Sequence, residues 1–179
     1  RAGRVPAGTA LLQIHAVNPF GFAWLRRTTE ENVDINRNYV DFDQPLPVNQ
    51  GYEKYRDLIC PDQWSEEIAD QTTSEINRLI NELPPMVMQG ALSSGQYVDP
   101  KGIFYGGQQP SWSRITTEAI FDRYLADAKK IALIDYHTGL GPRGYGERLG
   151  VGSPGHPAWG RSQDWWGAVT SIHDASSTS

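Results

Sequence analysis

Apolar positions along the chain fall into two patterns, short unbroken runs and stripes at helical spacing. The first run, Ala10-Leu11-Leu12-Gln13-Ile14-His15-Ala16, is brief and nearly continuous, which predicts a buried strand with His15 as a structural residue inside it. Asn18-Pro19 ends it, because proline removes a ladder donor and biases the residue before it away from helix. A polar loop then runs to Asp43. Met86-Val87-Met88 has the composition of another buried strand, and Ile131-Ala132-Leu133-Ile134 of a further one that ends at Asp135-Tyr136-His137.

The stripes predict helices. Gly51 to Ile59 reads as a short helix or turn. From Ser65, an expected N-cap, Glu66-Glu67 complement the positive end of the dipole, and Ile68, Thr72, Ile76, Leu79 and Leu83 share one face until Pro84-Pro85 stops the element. A second helix is expected from about Thr116 to Lys129, with Ile120, Phe121, Tyr124, Leu125 and Ala128 as its core stripe. Between them, Ser93 to Ser113 reads as a long ordered loop, and Gly139 to Gly160 as another, rich in glycine. Gly167 to His173 reads as a short helical stretch, and residues 165–179 as the region where the chain frays. Strand, helix, strand in this order favours an α/β fold with a mostly parallel sheet.

Length and composition narrow the classes. A chain of 179 residues suits one domain with a sizeable core, and 18 Gly, 12 Pro and a mean hydropathy of -0.51 imply short elements joined by long connections. The net charge of -5 provides no basic field for nucleic acid, and no apolar run approaches the roughly 20 residues of a spanning helix. No nucleic-acid or membrane partner is therefore expected. The start, without Met or an apolar signal core, reads as internal to a longer chain. Cys60 is the only cysteine, so no disulfide framework or cysteine-cluster zinc site forms within the chain; it reads as an incidental thiol, compatible with the cytoplasm.

The chemistry concentrates in residues 18–38. Asn18-Pro19-Phe20-Gly21-Phe22 is followed by Arg26-Arg27 and then by Val33-Asp34-Ile35-Asn36-Arg37-Asn38. A planar guanidinium grips a carboxylate through two parallel bonds, and an amide adds a directional donor. Asp34 and Asn38 read as groups that hold the turn, and Arg26 as a surface residue. His156 and His173 have no partner at ligand spacing.

These landmarks, with Gly95-Gln96-Tyr97, Gly102-Ile103-Phe104-Tyr105-Gly106-Gly107 and Asp135-Tyr136-His137-Thr138-Gly139-Leu140-Gly141, resemble the zinc carboxypeptidase superfamily. They are similar to a bacterial branch of it filed as a domain of unknown function. The resemblance covers about residues 10 to 150. It implies a three-layer α/β fold, a mostly parallel or mixed sheet flanked by helices, of which residues 1–179 form a single partial domain. It also implies that His137 is a zinc ligand, Arg27 the arginine that stabilises the oxyanion, and Asn36 with Arg37 the pair that binds a terminal carboxylate. The superfamily's His-x-x-Glu motif does not precede Asn18, and Glu147 lies too early to match its general base, so the expectation is an internal fragment of a longer enzyme. The implied reaction is zinc-dependent hydrolysis of an amide beside a free carboxylate, on a peptide or N-acyl amino acid. Deacylation of N-acyl amino acids and non-catalytic binding of carboxylated ligands are the alternatives.

Overall fold

The computed structural model describes residues 5–137, 143–150 and 154–171. It is helix-rich, and the chain divides into two compact units, Arg1–Lys129 and Lys130–Ser179.

In the first unit, α1 (Pro19–Trp24) and α2 (Ile35–Asn38) are short helices within the polar loop, each started by a side-chain cap. Asn18 accepts from the Gly21 amide, and Asp34 accepts from the Asn36 amide. Helices α3 (Gln50–Ile59), α4 (Glu66–Glu82) and α5 (Pro85–Ser93) pack against one another, and α6 (Trp112–Leu125) follows a long loop and meets α2. The expectation for α4 is met closely. Ser65 Oγ accepts from the Ile68 amide at 3.1 Å, the predicted stripe is shielded along its length, and the helix stops before Pro84. Gly51 lets α3 approach α5, since a Cβ there would lie 2.9 Å from that of Ala91.

Several expectations are corrected. Met86-Val87-Met88 is helical, because Pro85 occupies the first turn of α5, where its missing N–H is harmless. Helix α6 starts earlier than the stripe indicated, since Ser111 caps it through the Arg114 amide. Its buried residues are Ser113 and Thr117, whereas Tyr124 is exposed. Residues 10–16 and 131–134 are irregular, with Leu11, Leu12, Ile131, Leu133 and Ile134 exposed. A lone strand gains little from its backbone, and these segments have no ladder partner among the described residues.

The second unit holds β1 (Leu149–Gly150), paired in parallel with β2 (Thr170–Ser171), and α7 (Pro157–Trp166), which packs on β1. Thus part of the expected glycine-rich loop is helix, started by Pro157 and capped by His156, whose Nδ1 accepts from the Ala158 amide at 3.1 Å. The expected helical stretch at 167–173 is strand at Thr170–Ser171. Its end at His173, and the tail from 172 onward, lie outside the described residues.

The interior of the first unit is unusually polar. Tyr52, Leu79, Met88 and Ala91 form its helical part. Beside α2, Thr29, Asp34, Asn38, Gln96, Ser111, Ser113 and Thr117 are buried together with Val33, Tyr97 and Tyr105. Buried polar groups require partners, so this half of the unit is held by directed bonds as much as by apolar contact.

Candidate functional site

The loop joining α5 to α6 folds back on the segment that begins at Arg27. Its frame is a short ladder: the Gln96 amide donates to the Phe104 carbonyl (3.1 Å), the Gly106 amide to Gln96 (2.8 Å) and the Asp34 amide to Tyr105 (2.7 Å). Gln96 is buried and closes the loop on itself, donating to the Asp99 carbonyl and accepting from the Val98 and Asp99 amides. Asn32, at φ 63, donates across to the carbonyls of Pro100 (3.0 Å) and Gly102 (2.9 Å).

Asn38, wholly buried, is the second clasp. Its Nδ2 donates to the carbonyls of Gly106 (2.8 Å) and Gln109 (3.0 Å), and its Oδ1 accepts from the Ser111 amide (2.8 Å). Arg114 then donates to the carbonyls of Asn38 (2.6 Å) and Val40 (2.8 Å). Asp34 and Asn38 thus hold the turn, as their residue types indicated.

On this frame stand two guanidiniums. Arg27 Nε donates to the buried Asp34 carboxylate at 2.9 Å, the same carboxylate that caps α2 through the Asn36 amide at 3.0 Å. One acid thereby fixes both the arginine and the start of the helix carrying Asn36 and Arg37. Arg37 Nη2 donates to the Ser93 carbonyl at 2.6 Å, and its own carbonyl accepts from the Tyr97 hydroxyl at 2.6 Å. Burial pushes that hydroxyl above its ordinary pKa, which keeps it a donor. Arg37 Nε is buried with no hydrogen-bond partner among the described residues. The stem of Arg37 runs over Gly95, where φ is +89 and a Cβ would lie 2.6 Å from Arg37 Cδ, so this position requires glycine twice over.

Phe104 was not anticipated from the sequence. The guanidinium carbon of Arg27 lies 5.1 Å from its ring centroid and that of Arg37 5.5 Å. Sharing one ring limits the separation of the two groups to about 11 Å. The only local signal was a bulky aromatic among glycines in the 102–107 segment. Its pairing with arginines far away in sequence has no local trace.

Below the loop, Asp99 accepts from the Tyr52 hydroxyl (2.9 Å), Arg56 Nε (3.1 Å) and the Lys101 amide (3.1 Å). Burial opposes its ionisation, but these donors outweigh it and hold the carboxyl below its usual range. Burial, and then the bond to Asp99, push the Tyr52 hydroxyl well above its ordinary value.

Arg27 and Arg37 thus meet at Phe104 within the first unit, and Asn36, which is exposed, adjoins Arg37 on α2. His137 belongs to the second unit, where its Nδ1 lies 3.0 Å from Asp135 Oδ2. Such a carboxylate orients a ligating imidazole and selects Nε2 for a metal. Among the described residues no group of three or more His, Cys, Asp or Glu stands together.

A family described as protein of unknown function (DUF2817) matches residues 2–179, and the chain belongs to that family. Comparison with curated proteins and with solved structures returned no match.

Proposed function

We propose that residues 27–37 and the loop carrying Phe104 form the carboxylate-binding part of a carboxypeptidase-like hydrolase. In this reading, Arg37 with Asn36 holds a free carboxylate, and Arg27 faces the adjacent carbonyl oxygen, where negative charge develops during attack on the amide. The supporting observation is the placement of both guanidiniums against one ring, with the Asp34 carboxylate bonded to Arg27. Two cations against one anion leave one positive charge in excess, which suits a single carboxylate. A guanidinium grips a carboxylate with roughly 4 Å between carbon atoms, and consecutive residues are about 3.8 Å apart. Groups within about 11 Å of each other therefore reach a terminal carboxylate and the preceding carbonyl of one ligand.

The same proposal includes zinc on His137 with its other ligands from outside the described residues, membership of the zinc carboxypeptidase superfamily, and a cytoplasmic setting. The ligand would be a peptide or an N-acyl amino acid. It also includes a three-layer α/β fold with a mostly parallel or mixed sheet flanked by helices. Among the described residues no helix is long and apolar enough to cross a membrane.

Calorimetric titration with N-acetyl-L-alanine and with its amide tests the carboxylate grip. The carboxylate is expected to bind more tightly, and Arg37→Ala to remove most of that preference, about 10-fold or more for a charge-assisted bond. Equal binding of both probes by the unsubstituted chain refutes the reading.

A further inference from the structure

We propose that Phe104 is a positioning residue: through the face of its ring it sets the stance of Arg27 and Arg37, and with it the discrimination between a carboxylate and a neutral amide. The inference rests on the carboxylate reading above and adds to it the group that makes two separate arginines act together.

Three observations carry it. Both guanidiniums meet the ring, at 5.1 and 5.5 Å from its centroid, and a cation over an aromatic face is held by the ring's negative quadrupole. The backbone beneath the ring cannot swing away. Phe104 accepts from the Gln96 amide, and the next carbonyl, of Tyr105, accepts from the Asp34 amide. Finally, Phe104 has φ 50, a left-handed conformation that favours glycine and is uncommon for a bulky residue. A segment with glycine at 102, 106 and 107 nevertheless places a phenyl ring at that point.

Arg27 is tethered through Nε to Asp34, and Arg37 through Nη2 to the Ser93 carbonyl and, at 3.4 Å, through Nη1 to the Asn36 carbonyl, so that neither is tied by side-chain bonds to the other. Like charges this close repel, and without the ring each side chain would relax toward water about its tether. The ring offsets that repulsion and fixes the second direction of each plane.

The test is stepwise fluorination of residue 104 in the full chain, with 4-fluoro-, 3,5-difluoro- and pentafluorophenylalanine. Fluorine draws electrons from the ring while nearly preserving its shape, so a packing role predicts a flat series. The expected result is a progressive loss of affinity for N-acetyl-L-alanine, about 5- to 30-fold across the series for two contacts of ordinary strength. Affinity for the amide should stay constant. Phe104→Tyr should retain binding within about twofold, since it keeps the π face. The Nε–H signals of Arg27 and Arg37 in a nitrogen–proton correlation spectrum provide a readout independent of ligand, and both should shift together along the series. A carboxylate preference that survives the whole series unchanged overturns the inference alone. Absence of any carboxylate preference in the unsubstituted chain overturns the underlying reading, and this inference with it.

Discussion

Replacing Asn38 separates the two explanations available for the clasp, packing and hydrogen bonding. The side chain is 0% exposed and makes three bonds to main-chain groups, Gly106 O, Gln109 O and Ser111 N. Asn38→Ala removes all three and leaves two carbonyls and one amide without their partner. At about 1 kcal/mol net for each bond the loss is about 3 kcal/mol, which for a chain of this size is about 6–12 °C in Tm or about 1.5 M in urea midpoint. Asn38→Asp preserves the shape and the acceptor for Ser111 but turns an anion toward two carbonyl oxygens, so it should destabilise more than alanine at pH 7. Urea titration followed by circular dichroism gives the ranking, and hydrogen exchange at the Ser111 amide gives the local effect, with faster exchange in the alanine variant than in the aspartate variant. If Asn38→Asp is as stable as the unsubstituted chain, or milder than Asn38→Ala, the donors of Asn38 do not hold the loop and the argument fails.

Two further outcomes follow from the same frame. The carboxyl of Asp99 has a folded pKa below its unfolded value of about 3.9, so its contribution is complete above about pH 5 and is lost as pH falls through the lower folded value; Asp99→Asn should flatten the acid limb of a stability-against-pH curve, and an unchanged limb would show that Asp99 is not what titrates there. Gly95→Ala should be more damaging than Gly144→Ala, because both have positive φ (+89 and +83) but only the former meets a side chain, at Arg37 Cδ; the strain common to both is about 1 kcal/mol, and equal melting temperatures would refute the close contact.

What the sequence disclosed depends on how local each signal is. Helix α4 was readable because a cap, a stripe and a double proline lie within one stretch of chain. Asp34 and Asn38 were readable as turn holders because short polar side chains bond nearby backbone, although Asn38 also reaches loop residues about seventy positions away. Arg27 and Arg37 meet at one ring, but Phe104, which joins them, is separated from Arg27 in sequence by helices α2 to α5 and left no periodic mark. Short apolar runs were the weak point. Met86-Val87-Met88 suits a helix or a strand equally by composition, and Pro85 decided for helix. In α7, His156 and Pro157 start a helix that runs through Gly160, whose entropic cost of about 1 kcal/mol in a helix interior does not break it.

The clasp has a consequence for how the chain is threaded. Asn32 and Asn38 fasten carbonyls 68 to 71 positions downstream, and Arg114 reaches back 74 to 76. The three packed helices therefore form an excursion that leaves and re-enters through one polar seam. The entropy of closing so large a ring grows only with the logarithm of its contour, about 0.6 kcal/mol for each doubling. The exposed turn at Asp62, Gln63 and Trp64, remote in sequence from either side of the seam, is where this architecture accommodates extra residues with least disturbance to the arginines.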